Sequence, residues 1–271
     1  MRASWGRMTW AEFGRCLARD VVDALYPSLC PLCRAPAPAD SPTGSCTAHA
    51  IDLERGLPGN RCARCAARIA DALAPGEPCA RCRIDPPAFA RVLALGDYRE
   101  DLALREWILR LKHGGRADLA HPLGGWLGEH LARRVGAPRA RGALLVPVPL
   151  HPLRRFERGY DQADLLARAA ALASGGVTLR ILRRTRWTSP QGAIEAPSRS
   201  KNVHGAFAIA HGGLEFTGRA VWLVDDVLTS GATASACARV LREEGAPSVS
   251  VLCLARAGEL RVDAGDRRVS S

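Results

Sequence analysis

The sequence has almost no lysine. Of 38 basic residues only Lys112 and Lys201 are lysine, and the other 36 are arginine. That bias, beside the abundance of alanine, reflects GC-rich coding more simply than selection for guanidinium chemistry. It marks the two lysines, because a site needing a compact ammonium does not accept arginine as an equivalent. Aromatics are scarce at 5%, and no basic–aromatic alternation offers a platform for stacking bases. No apolar run approaches the roughly 18–20 residues that a membrane helix needs. Residues 1–27 carry Arg2, Arg7, Glu12, Arg15, Arg19, Asp20 and Asp23, so they lack the apolar core of a secretory signal. A cytoplasmic location is expected. Hydrophobic residues at 47% and charged residues at 24% exclude disorder or a collagen-like fibre for the whole chain.

Two things are plentiful: ten cysteines, and a formal charge of +11 over 271 residues. The charge is unevenly placed. Residues 1–90 hold 11 basic and 9 acidic side chains, against 27 and 18 in residues 91–271. The excess belongs to the second part.

Four segments follow from the pattern: 1–27, 28–87, 88–258 and 259–271. In the first, Trp10, Phe13, Leu17, Val21 and Leu25 recur at helical spacing and give a docking helix, with membrane-surface binding the minor alternative. It ends at Tyr26-Pro27. The second is cysteine-rich, poor in large apolar residues, and cannot bury a core without a staple. Asp85-Pro86-Pro87 reads as a linker. From Ala88 on, strands and helices alternate. Strands are expected at Arg91–Tyr98, Ala143–Val148, Thr178–Leu182, Ala220–Val224 and Ser248–Leu254. Helices are expected at Leu102–Leu111, Leu119–Val135, Gln162–Leu172 and Thr233–Glu244. Residues 184–204 read as a long loop, and 259–271 as a frayed tail. The fold class is α/β, with a mostly parallel, helix-covered twisted sheet and a small N-terminal metal module.

In a reducing compartment clustered cysteines point to metal before disulfides. The ligand pairs are Cys30-x2-Cys33, Cys46-x2-His49, Cys62-x2-Cys65 and Cys79-x2-Cys82. Two residues between ligands let one tight knuckle reach one ion, and four pairs make two tetrahedral sites suited to Zn²⁺. The pattern repeats: Cys30 to Cys62 and Cys33 to Cys65 are 32 apart, Cys46 to Cys79 and His49 to Cys82 are 33 apart. A duplicated zinc ribbon explains this, with consecutive pairs on each ion; a cross-brace of Cys30/Cys33 with Cys62/Cys65 also satisfies the spacing. Four protein ligands close each site, which makes both structural. Cys16, Cys237 and Cys253 fall in regular elements and read as buried small residues.

The string Val221 to Thr233 carries the chemistry. An apolar strand meets Asp225 and Asp226, then a small-residue turn, then a helix. Backbone N–H groups and hydroxyls at a helix N-terminus cradle an anion. Two carboxylates beside that cradle would repel phosphate alone. They suit a ligand that also presents hydroxyls or a divalent cation, as a ribose 5-phosphate does.

This string resembles the phosphoribosyl-pyrophosphate (PRPP) signature of type I phosphoribosyltransferases. The order of motifs resembles the ComF family, double-zinc-ribbon phosphoribosyltransferase-like proteins associated with competence and DNA uptake. The resemblance spans about Tyr26 to Arg256. It includes the knuckles, Leu111-Lys112-His113-Gly114-Gly115, Val146 to Pro152, Arg158-Gly159-Tyr160-Asp161-Gln162-Ala163, Pro190-Gln191, Lys201 to Phe207, and the PRPP string. The family commonly has cysteine at His49, Phe-Asn at Tyr160-Asp161 and threonine at Ser230.

The resemblance implies a sheet of the type I phosphoribosyltransferase type. It implies that Asp225, Asp226 and Lys112 form the catalytic set and that Val227, Leu228, Thr229, Ser230, Gly231, Ala232 and Thr233 hold the ribose phosphate. Pro149 and Leu150 would form the pyrophosphate loop, Arg154, Arg155, Arg158, Gln162 and Lys201 would meet the ligand, and residues 186–204 would cover it. Mg²⁺ would accompany PRPP. The leading expectation is transfer or hydrolysis of a phosphoribosyl group. The rivals are a competence accessory that binds single-stranded DNA or partner proteins, with a vestigial or regulatory pocket, and a nucleobase salvage enzyme.

Overall fold

A computed structural model describes residues 28–38, 41, 43–52, 54, 56–69, 74, 76–150, 157–185, 205–210, 216 and 218–258. The helix expected over 1–27, with Cys16, lies outside the described residues, as do residues 186–204, the tail 259–271, Arg154, Arg155 and Lys201. The chain forms two compact units, Met1–Ile51 and Asp52–Ser271, so the division falls inside the cysteine-rich segment.

The larger unit is built on a five-stranded parallel sheet. Its strands are β1 (Val92–Asp97), β2 (Leu144–Pro147), β3 (Val177–Thr178), β6 (Val221–Leu228) and β7 (Val249–Arg256), in the order β1-β7-β6-β2-β3. A parallel sheet needs crossovers. These are α2 (Leu102–His113), α3 (Ala120–Val135) and α4 (Ala137–Arg141) after β1, α5 (Gln162–Ser174) after β2, and α6 (Ala232–Glu243) after β6. A short helix, α1 (Ala80–Ile84), precedes the sheet. Helices cover the sheet, so β7 is buried along its whole length. That explains the apolar run at Val221–Val224 and the mostly apolar one at Val249–Leu254, where Ser250 is also buried.

The closest helix packing is α3 on α5. Gly124 and Gly128 open that contact: a Cβ at Gly128 would meet the Ala170 carbonyl oxygen at 2.3 Å, and one at Gly124 the Leu166 carbonyl oxygen at 2.7 Å. On the other side Trp107 packs edge-on against Trp126 with centroids 4.9 Å apart. His130 of α3 is buried; burial first, then Arg134 and Arg133, lowers its pKa to about 4.

Three expectations are corrected. The strand expected over Thr178–Leu182 is two pieces in different sheets: β3 joins the main sheet, while β4 (Leu182–Arg184) pairs antiparallel with β5 (Phe207–Ile209). Arg184 therefore belongs to a strand rather than to the loop expected over 184–204. The strand expected to stop at Val224 runs on to Leu228, because β7 keeps pairing with it as far as Arg256.

The second cysteine knuckle is part of the larger unit's core. Cys62, Cys65, Ile69, Cys79 and Cys82 are buried in one apolar cluster with Phe89, Val251 and Leu223. Among the described residues no helix is long and apolar enough to cross a membrane.

Candidate functional site

The two halves of the cysteine segment fold alike. In each unit a cysteine knuckle ends in a residue with positive φ, Arg34 (64°) and Ala66 (52°). The amide of Arg34 donates to the Cys30 carbonyl and that of Ala66 to the Cys62 carbonyl, both at 2.9 Å. The flanking bridges Leu29–Pro36 and Arg61–Arg68 are also equivalent. The third ligand of each set, Cys46 or Cys79, precedes a short helix, Thr47–His49 or α1.

Ligand atoms gather as consecutive pairs, Cys30, Cys33, Cys46 and His49 in one group and Cys62, Cys65, Cys79 and Cys82 in the other. The cross-brace is not the arrangement observed. The Cys33 and Cys46 sulfurs are 3.6 Å apart and those of Cys65 and Cys79 3.9 Å. Four thiolates placed tetrahedrally at about 2.3 Å from zinc would stand about 3.8 Å apart. His49 Nδ1 lies 3.5 Å from Cys30 Sγ and 3.3 Å from Cys46 Sγ, which suits an imidazole ligand. Burial opposes ionisation of Cys30, yet amides of Cys33, Cys46 and Leu32 draw its thiol down to about 6. Both groups can hold a metal ion. Cys237 and Cys253 lie apart from both groups in the core, where burial raises both thiols, Cys253 to about 12.

The second site lies where the sheet order reverses. The chain leaves β2 toward β3 on one side, then returns to β6 and moves to β7 on the other. Crevices at such a switch point, beyond the carboxyl ends of the strands, bind ligands in open α/β sheets. Here β2 stops pairing early. Pro147 faces Val224, the Val148 amide donates to the Val224 carbonyl at 2.9 Å, and Pro149 has no N–H to continue. The β2-facing edge of Asp225–Leu228 is thereby opened.

Asp225 and Asp226 stand on that edge. Their carboxylates bind the backbone: the Asp226 amide donates to Asp225 Oδ1 at 2.8 Å and the Val227 amide to Asp226 Oδ1 at 2.6 Å. Lys112, in the last turn of α2, places Nζ 2.9 Å from Asp226 Oδ1. The Tyr160 hydroxyl donates to the Leu111 carbonyl at the end of the same helix. Burial, then the Asp226 charge, raises the Asp225 carboxyl to about 7, opposed by Lys112.

Gln162 opens α5 and donates from Nε2 to Asp226 Oδ2 at 3.4 Å. Its side chain is buried, at 2% exposure. Its Oε1 accepts no hydrogen bond among the described residues, and a buried acceptor in that state costs free energy until a donor arrives. Asp161 caps α5, accepting from the Asp164 amide at 3.2 Å, so this acid serves the helix N-terminus.

A cavity of about 170 Å³ joins these groups. Lys112, Pro149, Leu150, Arg158, Gln162, Asp225, Asp226 and Thr233 line it, with Val148, Asp161, Ala163 and Arg184. Ser230, Gly231 and Ala232 instead line a neighbouring cavity of about 240 Å³ with Phe89, Phe207 and Cys65. The turn opens α6: Gly231 is its N-cap at φ +79°, and the Ala232 amide donates to Ser230 Oγ at 3.3 Å. The Leu228 side chain is in the core, so only its backbone is available to a ligand. Val227 and Thr229 keep partial or full exposure.

No family model matches the chain. Among curated proteins, DNA utilization protein YhgH of Salmonella typhimurium is 33% identical over 235 residues, covering 85% of this chain and 97% of that protein. The chain belongs to the ComF family. Competence protein F of Haemophilus influenzae is 32% identical over 182 residues, 66% of this chain and 78% of that protein. Among solved structures, an allosteric regulatory enzyme of purine biosynthesis aligns at 21% identity and TM-score 0.35, over 54% of this chain and 30% of that one. A purine phosphoribosyltransferase of Pyrococcus horikoshii aligns at 13% and 0.29, over 54% and 94%. Neither score is high enough to bear on function.

Within this ComF chain, sequence reasoning missed Arg184 as part of the cavity wall, while Asp161, which stands inside a matched motif, also lines it. Arg184 carries no signal in so arginine-rich a chain. The motif Arg158 to Ala163 was the available pointer to Tyr160 and Asp161, since both lie inside it.

Proposed function

We propose that the crevice between β2 and β6 binds PRPP with Mg²⁺ and transfers or hydrolyses its phosphoribosyl group, in a competence-related role in the cytoplasm. The observation that carries this reading is the constellation at the switch point: paired Asp225 and Asp226, Lys112 at 2.9 Å from Asp226, and a buried Gln162 acceptor that has no donor among the described residues. Ribose hydroxyls supply donors for the carboxylates and for Gln162 Oε1. The turn Thr229–Thr233 takes the 5-phosphate at the start of α6. Pro149, Leu150 and Arg158 face the pyrophosphate, and Arg154, Arg155 and Lys201 complete the cationic set.

The donor set fits a divalent cation, because hard carboxylate oxygens stand beside the place of a polyanion. Mg²⁺ would neutralise pyrophosphate charge and sharpen its quality as a leaving group. As pyrophosphate leaves C1 an oxocarbenium-like sugar develops, and Asp225 and Asp226 support it electrostatically. Zn²⁺ in both knuckles is structural, since each group supplies four protein ligands. Cysteines used as zinc ligands rather than in disulfides suit a reducing compartment.

The relatives' names, competence protein F and DNA utilization protein YhgH, support the role in DNA uptake or use. They also favour a second reading: an accessory that binds single-stranded DNA or competence proteins, with the pocket regulatory. A screen of nucleobases, amines and water for pyrophosphate release from PRPP separates them. We expect release with one acceptor class and none in Asp225→Asn. Salt-dependent DNA binding, retained in Asp225→Asn/Asp226→Asn, without any PRPP binding by the wild type, would favour the second reading.

A further inference from the structure

Arg256, the last residue of β7, is buried at 2% exposure. Its Nε and Nη1 donate to backbone carbonyls at three places in the chain. Nε donates to the Cys65 carbonyl at 2.9 Å. Nη1 donates to the Leu228 carbonyl at 3.0 Å, to the Thr229 carbonyl at 2.6 Å and to the Ala257 carbonyl. Leu228 and Thr229 begin the turn that leads into α6, and Cys65 is a ligand of the second knuckle.

We infer that Arg256 is a positioning residue that fixes the phosphate turn and couples its geometry to metal occupancy of the second knuckle. The inference rests on the PRPP reading of that turn. Carbonyl oxygens directed at a phosphate would repel it. A guanidinium that captures the carbonyls of Leu228 and Thr229 turns their negative ends inward and leaves the amides of the turn for the anion. A flat fork with five donors can hold several carbonyls at once; an ammonium cannot reproduce that spread.

The knuckle side is equally defined. The sulfurs of Cys62, Cys65, Cys79 and Cys82 lie within 4.8 Å of one another, and a tetrahedral ion would lock the Cys62–Cys65 loop in that shape. The Cys65 carbonyl would then be fixed, and with it the Arg256 fork. Arg61 adds a second tie, pairing with Asp97 at 2.8 Å. Asp97 is the β1 residue in register with Arg256. Burying a guanidinium costs far more than burying leucine or methionine there, which a position with a packing role alone would avoid.

The test uses the full zinc-loaded chain as wild type, Arg256→Lys and Arg256→Met. Zinc content, Mg²⁺·PRPP affinity and hydrogen exchange by mass spectrometry are measured together. We expect Arg256→Met to lose exchange protection in segments 62–67 and 228–234 while α3 and β1 keep theirs. Its Kd for Mg²⁺·PRPP should rise at least tenfold, with Arg256→Lys between the two. Wild-type affinity in both variants would overturn the inference while leaving the PRPP reading intact. Loss of protection throughout the chain in both variants would reduce Arg256 to a core residue and also overturn it. No PRPP binding by the wild type would remove the underlying reading and this inference with it.

Discussion

Replacing Asp225 by asparagine should stabilise the protein while weakening its ligand binding. The folded environment raises this carboxyl from 3.8 to about 7, through burial first and the Asp226 charge second. Below about pH 4 it is protonated in folded and unfolded chains alike. Between there and pH 7 only the folded chain keeps the proton, so stability falls as pH rises, and above 7 the whole cost stands. That rise, from 3.8 to about 7, corresponds to about 4 kcal/mol as an upper bound. Solvent reaches the partly buried carboxylate, so ~1–3 kcal/mol is the expected share. Asparagine keeps the Oδ1 acceptor for the Asp226 amide and removes the charge. The assay is thermal unfolding of both proteins from pH 5 to 8, without Mg²⁺ or ligand. Zinc loss at the acid end affects both alike. The variant should gain little at pH 5 and about 2–12 °C at pH 8. A gap that does not widen with pH, or a variant less stable at pH 8, would refute the reasoning.

Three further outcomes follow from the same contacts. Lys112→Met leaves Asp226 without its 2.9 Å partner and should weaken Mg²⁺·PRPP binding about tenfold or more by calorimetry, with Lys112→Arg giving little rescue. Cys65→Ser should lower zinc content from two ions to one and reduce the unfolding temperature of the α/β unit, because that knuckle lies in its core; Cys33→Ser should lose one zinc and leave that transition in place. Gly128→Ala should cost at least about 1–3 kcal/mol in denaturant unfolding, since its Cβ would stand 2.3 Å from the Ala170 carbonyl.

The residues that announced themselves did so through spacing. Cysteine pairs 32 and 33 apart became two equivalent knuckles because the repeat reflects one local turn used twice. The apolar runs at Val221 and Val249 became central strands because both of their faces are covered. The extension of β6 through two aspartates was illegible, since isolated carboxylates have low strand propensity and only β7 pairing holds them extended. The β4–β5 pairing was not legible because its strands are three residues each and distant in sequence. Arg256 was invisible for a different reason: one arginine among 36 carries no pattern, and its role arises from carbonyls that only the fold brings near it.

The central claim is that the β2–β6 crevice is a PRPP site. Isothermal titration of Mg²⁺·PRPP into the wild type and into Asp225→Asn/Asp226→Asn tests it most directly. Saturable one-site binding by the wild type, weakened at least tenfold in the double variant, is the predicted result. Equal affinity in the two proteins, or no binding by the wild type, would contradict it.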